Sequence, residues 1–132
     1  KIDLRCIQCL YHVWINADIS MMERVIQNLV ENALKSTPEG GSVEAMINVD
    51  AGEVIFTIKN TGEPLAADLV QWINNFRSEG SILNSRPPRL GLGLLIVQKI
   101  LLLHNATLYT QFQNGRNIFT FRMLVYNQPG AK

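Results

Sequence analysis

At 132 residues, with 47 % hydrophobic and 17 % charged content, the sequence describes one globular domain that can bury a core without disulfide or metal staples, and excludes a disordered chain. A net charge of +1 and the lack of any run of like charges give no signal for a nucleic-acid partner. The longest apolar run, near Leu92 to Leu103, is broken by Gln98 and Lys99 and is too short to span a bilayer, so no direct membrane contact is expected of this domain.

Residues 2–7 and 10–16 are rich in Ile, Leu, Val, Tyr and Trp and read as two short strands. Cys6 and Cys9 form a lone C-x-x-C, half a zinc site at best, and residues three apart on a strand point to opposite faces, which suits neither a shared metal nor a disulfide. Unpaired cysteines fit a reducing cytoplasm. His12, among apolar neighbours, reads as a packed or edge residue. From Met22 through Val25, Ile26, Leu29, Val30, Ala33 and Leu34, apolar residues recur in steps of three and four and predict a long amphipathic helix. Ser20 with Glu23 can form a capping box at its start, and Pro38 with Gly40-Gly41 stops it after Thr37.

Beside that stripe, Asn28, Asn32 and Lys35 fall within about 60° of one another at 100° per residue. Asparagine prefers caps and turns, so two of them one turn apart in mid-helix need a reason. A solvated flank is one reading. The other is a ligand edge, because an amide oxygen is a hard donor to Mg²⁺ and an ammonium one turn on can meet a phosphate.

Val43, Ala45, Ile47 and Val49 alternate, Asp50-Ala51-Gly52 turns the chain, and Val54, Phe56 and Ile58 alternate again, predicting a hairpin with one buried face. Counting on in twos reaches Asn60, an amide on that buried face that either caps the turn Thr61-Gly62-Glu63-Pro64 or waits at the floor of a pocket. Leu65, Leu69, Trp72, Ile73 and Phe76 mark a second amphipathic helix. Periodicity then vanishes from Arg77 to Leu90, where Arg77, Arg86 and Arg89 supply positive charge to a segment that reads as a lid over an anion. Leu90-Gly91-Leu92-Gly93-Leu94 opens a third apolar helix; glycines there serve either tight packing or the approach of a phosphate to the helix N-terminus. A strand over Thr107 to Phe112, an Asn114-Gly115 turn and a strand with Phe119, Phe121, Met123 and Val125 facing inward complete the domain. Residues 1–126 are expected to form it, with 127–132 a frayed tail. The element order predicts an α/β (α+β) two-layer sandwich, a mixed, mostly antiparallel sheet with helices on one face. A Rossmann site is discounted, because Gly91 and Gly93 lie outside any early β-α-β unit.

Four stretches together carry a resemblance. Asn28-Leu29-Val30-Glu31-Asn32-Ala33 looks like an N box, Asn60-Thr61-Gly62-Glu63-Pro64-Leu65 like a G1 box, Trp72 to Arg77 like an F box and Gly91-Leu92-Gly93-Leu94 like a G2 box, with His104-Asn105-Ala106-Thr107 similar to the segment that follows G2. In that order, from about Asp18 to Phe121, they resemble the catalytic ATP-binding domain of sensor histidine kinases, in the GHKL superfamily of gyrase, the ninety-kilodalton heat-shock chaperone and MutL, with its Bergerat-type ATP-binding fold. The resemblance implies ATP and Mg²⁺ as cofactors, with Asn32 on the metal, Asn28 helping directly or through water, and Lys35 on phosphate oxygens. It implies that Asn60, where the family most often has aspartate, accepts from the adenine amino group, and that Gly62 lets the base approach. Gly91, Leu92, Gly93 and Leu94 would offer backbone N–H groups to phosphates, and Arg77 would close over them. Asn28 and Lys35 are the residues it marks as catalytic. Arg89 and Pro64 replace family glycines, and the lid is short.

The function so implied is supply of the γ-phosphoryl group for autophosphorylation of a histidine on a separate dimerisation domain in two-component signalling. Neither His12 nor His104 lies in an acceptor context, so the acceptor is expected elsewhere. The chain begins with Lys1 and is expected to be a piece of a longer, probable inner-membrane sensor kinase, cytoplasmic in this part. This fragment is expected to be monomeric and the parent homodimeric, with a response regulator as partner. Two alternatives stay open: a regulatory module whose nucleotide site has lapsed, and an anti-sigma-factor-like serine kinase.

Overall fold

The computed structural model describes residues 2–7, 15–76 and 91–125. In chain order the elements are β1 (Asp3–Ile7), α1 (Ile19–Ser36), β2 (Ser42–Asp50), β3 (Glu53–Thr61), α2 (Ala67–Asn74), α3 (Leu92–Leu103), β4 (Leu108–Gln113) and β5 (Arg116–Leu124). The strands form one sheet in the order β1-β2-β3-β5-β4, with β1 parallel to β2 and every other neighbour antiparallel. This is the expected two-layer arrangement.

Both hairpins form where two-residue turns allow positive φ. Asn114 and Gly115 adopt φ of 54° and 75°, and Ala51 and Gly52 adopt 51° and 78°, the left-handed pair that matches the twist of the strands they join. The inward phase of β3 meets that of β5 in direct register, Phe56 opposite Phe121, whose rings stack at 4.6 Å. Such a pair adds about 0.5–1.5 kcal/mol beyond the area it buries. Onto this face α1 lowers Val25, Leu29 and Ala33, and α3 lowers Leu94, Val97 and Leu101. The two helices also pack on each other, while α2 lies against β4.

Three boundaries differ from expectation. Helix α1 begins at Ile19, not after a Ser20 cap: the N-cap is Asp18, whose Oδ1 accepts from the Met21 N–H at 2.9 Å. A carboxylate there both satisfies a free N–H and faces the positive end of the helix dipole, so it outcompetes a hydroxyl two residues later. Helix α2 begins at Ala67, leaving Leu65 and Phe76 as flanking residues, with Phe76 still buried beside Trp72 at 5.3 Å between ring centroids. Ile15 and Asn16 belong to no strand, and the rest of the second expected strand, with Cys9 and His12, lies outside the described residues. Cys6 pairs with Ala45 in β1. The expected tail, 127–132, is likewise outside them.

Candidate nucleotide site

Helix α1 ends as its sequence dictates, with Thr37 as C-cap before Pro38, and its Oγ1 bonds the Ala33 carbonyl at 2.6 Å. On its flank Asn28 and Asn32 are half-buried and Lys35 is exposed. Asn28 faces α3: its Nδ2 donates to the Gly93 carbonyl at 3.4 Å, a long bond. Asn32 and Lys35 make no hydrogen bond or ion pair among the described residues. The flank is thus not consumed by the fold.

Helix α3 presents its N-terminus to that flank. Its N-cap is Gly91, which supplies no side chain to cap the first-turn N–H groups. Among the described residues, neither a close contact nor a positive φ calls for glycine at Gly91 or Gly93. Gly91 has φ of −76° and ψ of 161°, open to any residue, and among the described residues an added Cβ would meet nothing within 4 Å; at Gly93 it would meet only Asn28 Cβ, at 4.0 Å. No close contact among the described residues supports the tight-packing reading of G-x-G. Leu92 is exposed, whereas the Leu94 side chain is core, so only its backbone faces the site.

Gly62 is different. A Cβ there would stand 3.0 Å from the Ser36 carbonyl oxygen, a tight contact that disfavours larger residues where β3 leaves the sheet under the end of α1. Asn60 is 1 % exposed and donates from Nδ2 to the Thr61 carbonyl at 3.2 Å. Lys35, Gly62 and Glu63 line a cleft of about 570 Å³ with Asn117 of β5. Asn117 was not singled out in the sequence, although it lies in phase with Phe119, Phe121 and Met123, two residues earlier on the inward face. It is directly opposite Asn60, 3 % exposed, and donates to the Glu63 carbonyl at 2.8 Å. Arg77 lies outside the described residues, as do Arg86 and Arg89.

One polar contact at the far side ties the two site helices together. His104, the C-cap of α3, places Nδ1 2.8 Å from the Ile100 carbonyl, while Nε2 lies 3.1 Å from the Asp18 N–H that donates to it. Nε2 is thus an acceptor and Nδ1 carries the proton. Asn105, at φ of 57°, and the bond from the Ala106 N–H to the Leu101 carbonyl complete a Schellman end.

Among the described residues no three His, Cys, Asp or Glu side chains come together. The oxygens of Asn28 and Asn32 fit Mg²⁺ as partial ligands of an ion that keeps waters and phosphate oxygens, which is how Mg²⁺ is usually held. No helix among the described residues is long and apolar enough to cross a membrane.

The chain is similar in sequence and fold to known proteins. The catalytic domain of histidine kinase ThkA superposes with a TM-score of 0.76 over 93 % of this chain and 78 % of that one, at 25 % identity. Sporulation kinase A of Bacillus subtilis (strain 168) is 29 % identical over 74 % of this chain, which spans 15 % of that protein. Heme sensor protein HssS of Staphylococcus aureus (strain JH9) is 30 % identical over 81 % of this chain, 22 % of its own length. Residues 17–127 match the family model described as histidine kinase-, DNA gyrase B-, and HSP90-like ATPase, and the chain belongs to that family.

Proposed function

We propose that this domain binds Mg²⁺-ATP between α1, α3 and the turn after β3, and presents the γ-phosphoryl group to a histidine on another domain of a sensor kinase. The observation that carries the reading is the pair Gly91 and Gly93, without a close contact or positive φ among the described residues, set against the flank of α1 that bears Asn28 and Asn32. Such residues, brought together from separate stretches, fit a ligand.

In this reading Asn32 and Asn28 turn their oxygens to the metal, which when bound neutralises phosphate charge. Lys35 meets phosphate oxygens, and the first-turn N–H groups of α3 hold the terminal phosphates in a low-dielectric site with no reorganisation. Phosphoryl transfer needs little more than such positioning from the protein. Asn60 accepts from the adenine amino group. The acceptor histidine, the dimerisation domain that carries it and a response regulator would come from outside this chain; one solved relative, ThkA, is in complex with response regulator protein TrrA. Placement on the cytoplasmic side of a membrane sensor belongs to the same proposal.

Calorimetric titration with a non-hydrolysable ATP analogue, with and without Mg²⁺, tests it. Expected is micromolar to sub-millimolar binding that weakens without Mg²⁺ and in folded Asn32→Ala. Losing a charge-assisted contact of about 1.5–3 kcal/mol corresponds to roughly tenfold or more in Kd. No heat and no competition by ADP, from folded protein, would overturn nucleotide binding and favour a regulatory module.

A further inference from the structure

We infer that His104 is a positioning residue for the phosphate site: its neutral imidazole holds α3 in place along α1, and with it the helix N-terminus that meets the nucleotide. The inference rests on the nucleotide reading above and adds a residue and a pH dependence to it. Two hydrogen bonds join the helices. At the start of α3, Asn28 Nδ2 donates to the Gly93 carbonyl at 3.4 Å; at its end, the Asp18 N–H donates to His104 Nε2 at 3.1 Å. The helices therefore run in opposite directions, and the two bonds lie about 15 Å apart at 1.5 Å per residue. Between them Val25 and Leu29 of α1 and Leu94, Val97 and Leu101 of α3 are core side chains. Apolar burial is non-directional, whereas a hydrogen bond fixes distance and angle. The bond at Asn28 is long, so the shorter one at His104 does most to set the register of α3.

Only one protonation state makes that bond. Nδ1 lies 2.8 Å from the Ile100 carbonyl and carries the proton, so Nε2 accepts only while the ring is neutral. In the imidazolium both nitrogens are donors, and Nε2–H would point at the Asp18 N–H. Among the described residues, the charged groups on the elements around His104 are few. The Asp18 carboxylate stands at the start of α1, its Oδ1 engaged by the Met21 N–H. Glu53 of β3 and Arg122 of β5 share a cleft with His104 and pair with each other at 3.3 Å. Lys99 is the charge on α3 itself. A protonated ring would turn to the Asp18 carboxylate, and that turn gives up the N–H contact. Acid thus releases the far end of α3, and its glycine-capped N-terminus loses its fixed place against Asn28 and Asn32. Positioned chemistry is sensitive to such a shift, since misplacement by about 1 Å can cost roughly 100-fold.

Two conservative variants separate this tie from plain helix capping. His104→Asn keeps a donor for the Ile100 carbonyl and does not reach Asp18; His104→Gln keeps an acceptor at the Nε2 position and does not titrate. With an Mg²⁺-bound non-hydrolysable ATP analogue at about pH 8, His104→Asn should bind roughly three- to tenfold more weakly than wild type, the range one ordinary hydrogen bond can carry, and His104→Gln within about twofold of wild type. The neutral ring is the one that holds α3, so the wild-type affinity is full at about pH 8 and should fall relative to His104→Gln as the pH drops to about 6. Titration of the nucleotide itself is common to both proteins and cancels in that ratio.

A merely structural His104 would lower the urea stability of His104→Asn and leave the affinity of its folded fraction unchanged. That result overturns the inference while leaving nucleotide binding intact, as do parallel pH profiles of wild type and His104→Gln. Absence of binding by folded wild type overturns both readings. The imidazole ¹⁵N spectrum of the wild type at about pH 8 needs no variant: the proton should sit on Nδ1, and a neutral ring protonated on Nε2 contradicts the inference.

Discussion

The two ends of the helical layer use the same side-chain chemistry for opposite ends. Where α2 meets β4 and α3, Asn74 donates to the Thr110 carbonyl at 2.9 Å and accepts from the Thr110 N–H at 2.7 Å, closing part of the edge strand β4 as a neighbouring strand would. Gln98, fully buried in α3, donates to the Ile73 carbonyl at 3.0 Å, a group left over at the end of α2. Where α1 meets the N-terminus of α3, Asn28 has one long bond and Asn32 none among the described residues. Of these four helix amides, Asn74 and Gln98 have short backbone partners and hold the fold, whereas Asn28 and Asn32 lack them and leave an edge open.

That comparison can be broken by substitution. The largest stability effect is expected at Asn74→Ala, which leaves two Thr110 backbone groups without partners and should lower unfolding free energy by about 2–3 kcal/mol in urea titration, with nucleotide affinity of the folded fraction unchanged. Gly62→Ala should follow, by about 1–3 kcal/mol, because its Cβ is forced toward a backbone oxygen that cannot swing away. Asp18→Ala should lose about 1 kcal/mol of helix capping, whereas Ser20→Ala, inside the first turn, should stay within about 0.5 kcal/mol. The smallest effect on stability, also within about 0.5 kcal/mol, is expected for Asn32→Ala, yet it should weaken Mg²⁺-nucleotide binding most among these five sites. Large affinity loss at Asn74 with none at Asn32 would invert the comparison.

Much of the scaffold was legible because it is local. The stripe from Met22 to Leu34, the alternation through Val43–Val49 and Val54–Ile58, and the Asn114-Gly115 turn each specify their element within a few residues. The phase of β3 placed Asn60 on the buried face correctly. Asn117 obeys the same rule, but its phase was counted from Phe119 onward and stopped one step short. The parallel pairing of β1 with β2 was not legible, since partner choice between strands separated by an 18-residue helix is decided by tertiary contacts. For the same reason the roles of Asn74 and Gln98 could not be told from those of Asn28 and Asn32: all four are amides on helices, and only the neighbours supplied by folding separate them. Gly91 and Gly93 show the converse. The sequence left both packing and ligand approach open, and the space around both positions among the described residues is compatible with the ligand reading.

The central claim, that these glycines serve a ligand and not the fold, is tested most directly by Gly93→Ala, with urea unfolding and nucleotide titration run on the same sample. Alanine is favoured over glycine inside a helix by up to about 1 kcal/mol, and among the described residues its Cβ meets only Asn28 Cβ, at 4.0 Å, so stability should hold or rise. Binding of the Mg²⁺-bound ATP analogue should at the same time fall by roughly tenfold or more. A destabilised variant that binds as tightly as the wild type would contradict the account.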